Sequence, residues 1–126
     1  MALHGSSAPL LSGSSAIGYQ TGAGGAVTQA TSRTTGVTLN KVCGAITLFS
    51  TTTTAGQVTS FTVTNSLIAA TDTINLSVKS GVTGVYLCFV TAVAAGSFNV
   101  SVYTPAAVAS AEAPVLNFAA LKAVAA

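Results

Sequence analysis

The sequence predicts an all-β fold, an antiparallel β-sandwich of about eight strands carrying an extended N-terminal arm. Three observations lead there. From Ala26 onward, short β-prone runs follow one another at the spacing of sandwich strands, separated by turn residues. Ser97–Tyr103 alternates cleanly, with Phe98, Val100 and Val102 on one face and Ser97, Asn99 and Ser101 on the other, as a strand with one wet face does. Residues 1–25, by contrast, hold Gly5, Gly13, Gly18, Gly22, Gly24 and Gly25 with no sustained period of either kind. The division that follows is an arm over 1–25 and a sandwich domain over 26–126, of jelly-roll or immunoglobulin-like type.

The arm carries apolar residues at Leu3, Leu10, Leu11, Ile17 and Tyr19, which an idle linker would lack. It is expected to dock on a neighbour. Strands are predicted at 26–31, 37–39, 43–49, 58–65, 73–79, 85–93, 97–103 and 115–122. Phe61, Val63, Ile74, Leu76, Val78, Phe98, Val100, Val102, Leu116 and Phe118, with Ile46 and Leu48, share faces and form the predicted core. Between these runs, 51–56 reads as a hydroxyl-rich hairpin loop, and Pro105 and Pro114 bracket an Ala-rich crossover. Ser66–Thr71 reads as one helical turn capped by Asn65 or Ser66. The segment from Asn117 to Ala126 has helix-favouring Ala and Leu. Val115, Leu116 and Phe118 after Pro114, and the need to close a sheet, favour a strand as far as Lys122.

Val85–Val93 differs from the other runs in being apolar on both faces, Val85, Leu87, Phe89 and Val93 on one and Tyr86, Cys88, Val90 and Ala92 on the other. Such a strand is expected in the middle of something, covered on its second side by a loop or another subunit. The composition agrees with an assembly. Charged residues are only 5% of the 126 residues, against roughly 25% in ordinary soluble proteins. Few charges leave little to keep copies apart. Together these features predict a homotrimer.

Several functions are disfavoured by what is missing. Arg33, Lys41, Lys79 and Lys122 are scattered, which gives no basic patch for nucleic acid. Mean hydropathy is high, at +0.71. Yet the longest apolar stretch, Val85–Ala95, has about half the roughly 20 residues a spanning helix needs, and no membrane partner is expected. The N-terminus lacks the basic region of a signal peptide, so synthesis and retention in the cytosol are expected, with Cys43 and Cys88 as buried thiols. A bridge between them remains the energetic alternative. Two Cys and a single His, His4, fall short of a closed zinc site. Asp72 and Glu112 are the only carboxylate side chains for acid–base work, and Asp72 sits in a turn context where it caps backbone amides. Gly22–Val27 lacks the strand, helix and lysine of a phosphate loop. Neither a catalytic residue, a cofactor nor a metal is expected.

Thr21, Gly22, Gly24, Gly25, Val27, Thr28, Gln29, Thr31 and Ser32, followed by Val37, Thr38, Leu39 and Asn40, spell T-G-x-G-G-x-V-T-Q-x-T-S and V-T-L-N. In these residues the chain resembles a family of small Ala/Thr/Val-rich virion proteins encoded in the structural modules of tailed bacteriophages and prophages. The likeness continues through Cys43–Thr47, Phe61–Ser66, Ile68–Asp72 and Val115–Ala119 with Lys122, covering roughly residues 18–124. The resemblance implies a non-enzymatic particle component made in the host cytoplasm and located on the virion capsid surface. It looks most like a decoration or cement protein that binds the major capsid protein of an assembled head. The alternative is a fibre or spike module, including a receptor-binding tip. The arm anchors Leu3, Leu10, Leu11, Ile17 and Tyr19 are then the expected contacts with the capsid or an adjacent subunit.

Overall fold

Alternation along Ser97–Thr104 lets that strand bury one face while pairing along both edges, and the molecule is built outward from it. The structure is a computed structural model that describes residues 17–80 and 83–124. In chain order the strands are β1 (Gly24–Thr28), β2 (Val37–Thr38), β3 (Cys43–Thr47), β4 (Thr51–Thr53), β5 (Gln57–Thr64), β6 (Thr73–Ser80), β7 (Leu87–Ala94), β8 (Ser97–Thr104), β9 (Val108–Glu112) and β10 (Val115–Leu121). No helix occurs among the described residues. Two four-stranded sheets, β1-β3-β10-β6 and β2-β5-β8-β7, face each other, and β4 pairs with β9 in a separate ribbon. The fold is an all-β sandwich.

The core lies between the two sheets. Ile46, Leu48, Phe61, Val63, Ile74, Phe98, Val100, Val102, Leu116 and Phe118 are all buried, as their alternation requires, while Leu76 and Val78 pack against them half-buried. Register explains the match: Phe61 lies opposite Val100 and Val63 opposite Phe98, so each inward pair supports the next across the strands. The Phe98 and Phe118 rings, one from each sheet, meet with centroids 5.3 Å apart and planes tilted by 56°. This spacing and tilt suit an aromatic pair bridging two layers.

Four expectations are corrected. The sheets are mixed rather than wholly antiparallel, because the chain crosses from β1 to β2 in the opposite sheet and returns to β3. β1 and β3 therefore run parallel, as do β2 and β5. Ser66–Thr71 makes no helical turn. Two successive turns form instead, closed by Ile68 N–H to the Asn65 carbonyl and Asp72 N–H to the Ala69 carbonyl, with Asn65 Oδ1 capping Leu67 N–H at 3.0 Å. The expected loop at 51–56 and crossover at 105–114 contain β4 and β9, two short strands that satisfy each other. Finally, β7 is an edge strand, not a central one. Its irregular register between Val90 and Ala92 turns Val93 inward opposite Phe98, so Cys88, Val90 and Val93 pack on the core. β1 begins at Gly24, just inside the stretch assigned to the arm.

Candidate interaction surfaces

Because inward and outward residues alternate, placing Cys88 and Val90 on the core forces Leu87 and Phe89 outward. They are 47% and 46% exposed. Strand register gathers neighbours around them. Leu87, Tyr103 and Val58 form one outward row across β7, β8 and β5, and Phe89, Ser101 and Ser60 form the next. Val85, just before β7, extends the strip, and it and Val58 are mostly exposed. From the second row onward the face becomes hydroxyl-rich. Ser60 Oγ and Ser101 Oγ lie 2.7 Å apart, and Thr62 Oγ1 donates to Asn99 Oδ1 at 2.8 Å. No outward residue on β5, β7 or β8 is ionisable at neutral pH. Polar groups already bonded to each other cost little to cover.

A second surface involves the arm. Of its five apolar anchors, Leu3, Leu10 and Leu11 lie outside the described residues. Ile17 is 70% exposed, and Tyr19 is half-exposed with its hydroxyl donated to the Ala120 carbonyl. Gly18 and Tyr19 thus cross the outer face of the β1-β3-β10-β6 sheet, where a cleft of about 710 Å³ opens over small side chains.

Four ionic side chains, Arg33, Asp72, Glu112 and Lys122, are engaged in holding the fold. Glu112, buried on β9, accepts from Thr83 N–H at 3.0 Å, the Thr83 hydroxyl, Gly84 N–H at 3.0 Å and the Tyr86 hydroxyl at 2.8 Å. The Thr83 hydroxyl bond contributes most to lowering its pKa to about 2, against the opposing effect of desolvation. Tyr86 is pushed up, first by burial and then by its bond to Glu112. Arg33 bonds the carbonyl of Glu112 at 2.8 Å and that of Phe49, and its guanidinium lies 5.7 Å from the centre of the Tyr86 ring. Gly84 has no alternative here, since a Cβ would come within 2.7 Å of Val108 and 2.9 Å of both Glu112 and Tyr86.

Asp72 plays the expected turn role, accepting Ala69 N–H at 2.9 Å, and it also pairs with Lys122 at 2.7 Å. These bonds, the amide first, hold its carboxyl below the usual range. Asp72 precedes β6 and the Thr83 that binds Glu112 follows it, so an eight-residue strand, roughly 26 Å long, separates the two carboxylates. A cooperating acid–base pair needs separations several times shorter. Among the described residues, no three of His, Cys, Asp and Glu come together as a metal site. Cys43 and Cys88 are free and half-buried, Cys43 facing outward from β3 and Cys88 facing the core, where burial raises its thiol pKa.

Sequence reasoning did not foresee the Arg33–Glu112–Tyr86 cluster or the role of Gln29. Buried Gln29 accepts Phe49 N–H at 3.0 Å and donates to the carbonyls of Arg33 and Thr35. The available signal was rarity: in so neutral a chain, each of the few ionic side chains is a candidate for internal bonding. No family model matches the chain, and no curated protein or solved structure compared with it matches either.

Proposed function

We propose that the chain is a structural component of a tailed-bacteriophage virion, a decoration or cement protein that binds the major capsid protein of the assembled head and reinforces capsomer contacts as a homotrimer. The observation that carries this reading is the outward half of β7. Leu87 and Phe89, with Val58 and Tyr103 beside them, form an uncharged apolar strip that the sandwich core does not use. Such a strip is suited to burial against a protein surface. The resemblance over roughly residues 18–124 supplies the particle. The internal engagement of Arg33, Glu112, Asp72 and Lys122 supports a structural rather than catalytic role.

Two measurements test the reading. Native mass spectrometry at micromolar concentration should give the trimer mass, and a monomer that also fails to bind capsids lacking the protein would overturn it. Labelling intact virions should show many copies over the head. Label confined to a few vertices or to the tail would replace this reading with the fibre or spike module.

A further inference from the structure

We infer that the cleft on the outer face of the β1-β3-β10-β6 sheet receives residues 1–16 of a second copy of this chain. The inference rests on the reading of the protein as a self-assembling structural component. The cleft, about 710 Å³, is floored by Gly24, Gly25, Cys43 and Ala45, and Asn75, Ser77 and Asn117 line it with polar side chains. A floor of small side chains lets a polypeptide backbone approach closely, and amides and a hydroxyl can bond its peptide groups. Part of the arm already lies here, since Gly18 and Tyr19 line the cleft and Tyr19 is tied to the Ala120 carbonyl.

Where the described chain begins decides whose segment completes the cover. A smaller hollow of about 240 Å³ adjoins the cleft, and Gly18 and Tyr19 line both. Ile17 lines only the smaller one, beside Leu121. Ile17, the first described residue, therefore lies on the far side of Tyr19 from the glycine floor. To reach that floor within one chain, residues 1–16 would have to turn back around a tethered side chain, whereas a segment from another copy enters without reversal.

Length and charge agree. Sixteen residues reach roughly 50 Å when extended, while four strands span only about 19 Å, leaving enough chain to bridge between copies. Residues 1–16 hold no Asp, Glu, Lys or Arg, so none of those side chains would repel Lys79 at the cleft wall. The segment is Gly-, Ser- and Ala-rich, matching the shallow floor, and offers Leu10 and Leu11 as anchors. Passed from each copy to the next, the exchange is a head-to-tail contact, the kind that closes into a ring in a cyclic trimer.

Cys43 provides a native probe. Leu10→Cys and Leu11→Cys chains, oxidised with oxidised glutathione, should form a disulfide to Cys43 that links separate chains. Peptide mapping of mixed isotope-labelled and unlabelled protein should find the bridge between the two pools. Independently, a chain starting at Ile17 should have its Cys43 alkylated about tenfold faster than the full chain if the segment is seated nine-tenths of the time. A bridge formed only within one chain, or equal alkylation with and without residues 1–16, overturns the inference. If the shortened chain is alkylated at the same rate and still assembles, the exchange fails while assembly through β7 stands. If the full chain is monomeric, both fail.

Discussion

Glu112 concentrates at one position what a nearly uncharged chain does with its few ionic groups. Its carboxylate takes four donors from the segment between β6 and β7 and from Tyr86, so β9 is bonded to that segment. The pKa falls to about 2 from an ordinary value of 4.5, and the sign of the pH effect follows. A depressed folded-state pKa means stability that is complete above the unfolded value and lost as pH falls through the folded one. The wild-type chain should therefore hold its melting temperature down to about pH 4.5 and lose it progressively toward pH 2. Glu112→Gln should melt lower at pH 7, because an amide offers one acceptor oxygen to donors that now share two, and its curve should converge with wild type near pH 2. Asp72 adds a decline of the same sign, so a residual slope should persist in Glu112→Gln and vanish when Asp72→Asn is added. Melting curves that stay parallel from pH 7 to 2 would show that the Glu112 network contributes nothing through its charge.

Among the elements, the β7–β8 hairpin shows how one turn is held by both local and distant bonds. Gly96 sits at φ +86°, a region where a side chain costs about 1–2 kcal/mol. Its N–H bonds the Ile68 carbonyl and its carbonyl accepts Asn65 N–H, both at 2.9 Å. Asn65, fully buried, also donates its side-chain amide to the Lys41 carbonyl at 2.6 Å. The hairpin tip is thereby tied to the end of β5 and to the β2–β3 connection. Because no atom beyond its chain neighbours lies within 4 Å of where a Gly96 Cβ would be, the penalty of Gly96→Ala should be conformational alone. Urea unfolding should show a loss of about 1–2 kcal/mol with an unchanged slope, and no loss would mean the turn relaxes freely. This hairpin was legible in the sequence because Ala95-Gly96 lies between two apolar runs. So was the core, because alternation sets the buried face wherever one face is wet. What was not legible depended on partners far along the chain. The edge position of β7 is set by strand order, and the strands β4 and β9 lie in Thr- and Ala-rich stretches whose pairing is visible only in three dimensions. The parallel pairs arise from crossings between sheets, which no local period records. Of the arm anchors, Tyr19 alone acquires a described hydrogen-bond partner, Ala120, a residue about a hundred positions away.

At the scale of the whole molecule, the sandwich presents two differently finished faces. One sheet carries the small-residue cleft with the beginning of the described chain across it, and the other carries the apolar strip. β7 combines this strip with an open edge, and apart from the register shift between Val90 and Ala92 neither Pro nor a charged residue within the strand blunts that edge. Natural edge strands usually carry such protection, because an unguarded apolar edge recruits other chains. Its absence makes sense if the strand is covered in use. Phe89→Lys should separate folding from assembly. The side chain points outward, opposite Ser101, so the ammonium can stay in water and the sandwich can keep its core. In a contact that buries Phe89, the same ammonium would have to be desolvated without a partner, since no outward residue on β5, β7 or β8 is acidic. The variant should keep its β-sheet circular dichroism and melt within a few degrees of wild type. In light scattering it should shift toward lower mass at concentrations where the wild type is fully assembled, and its binding to capsids lacking the protein should fall with it. An unchanged mass with retained capsid binding would move the contact away from β7 and leave the glycine-floored face as the surface through which copies meet.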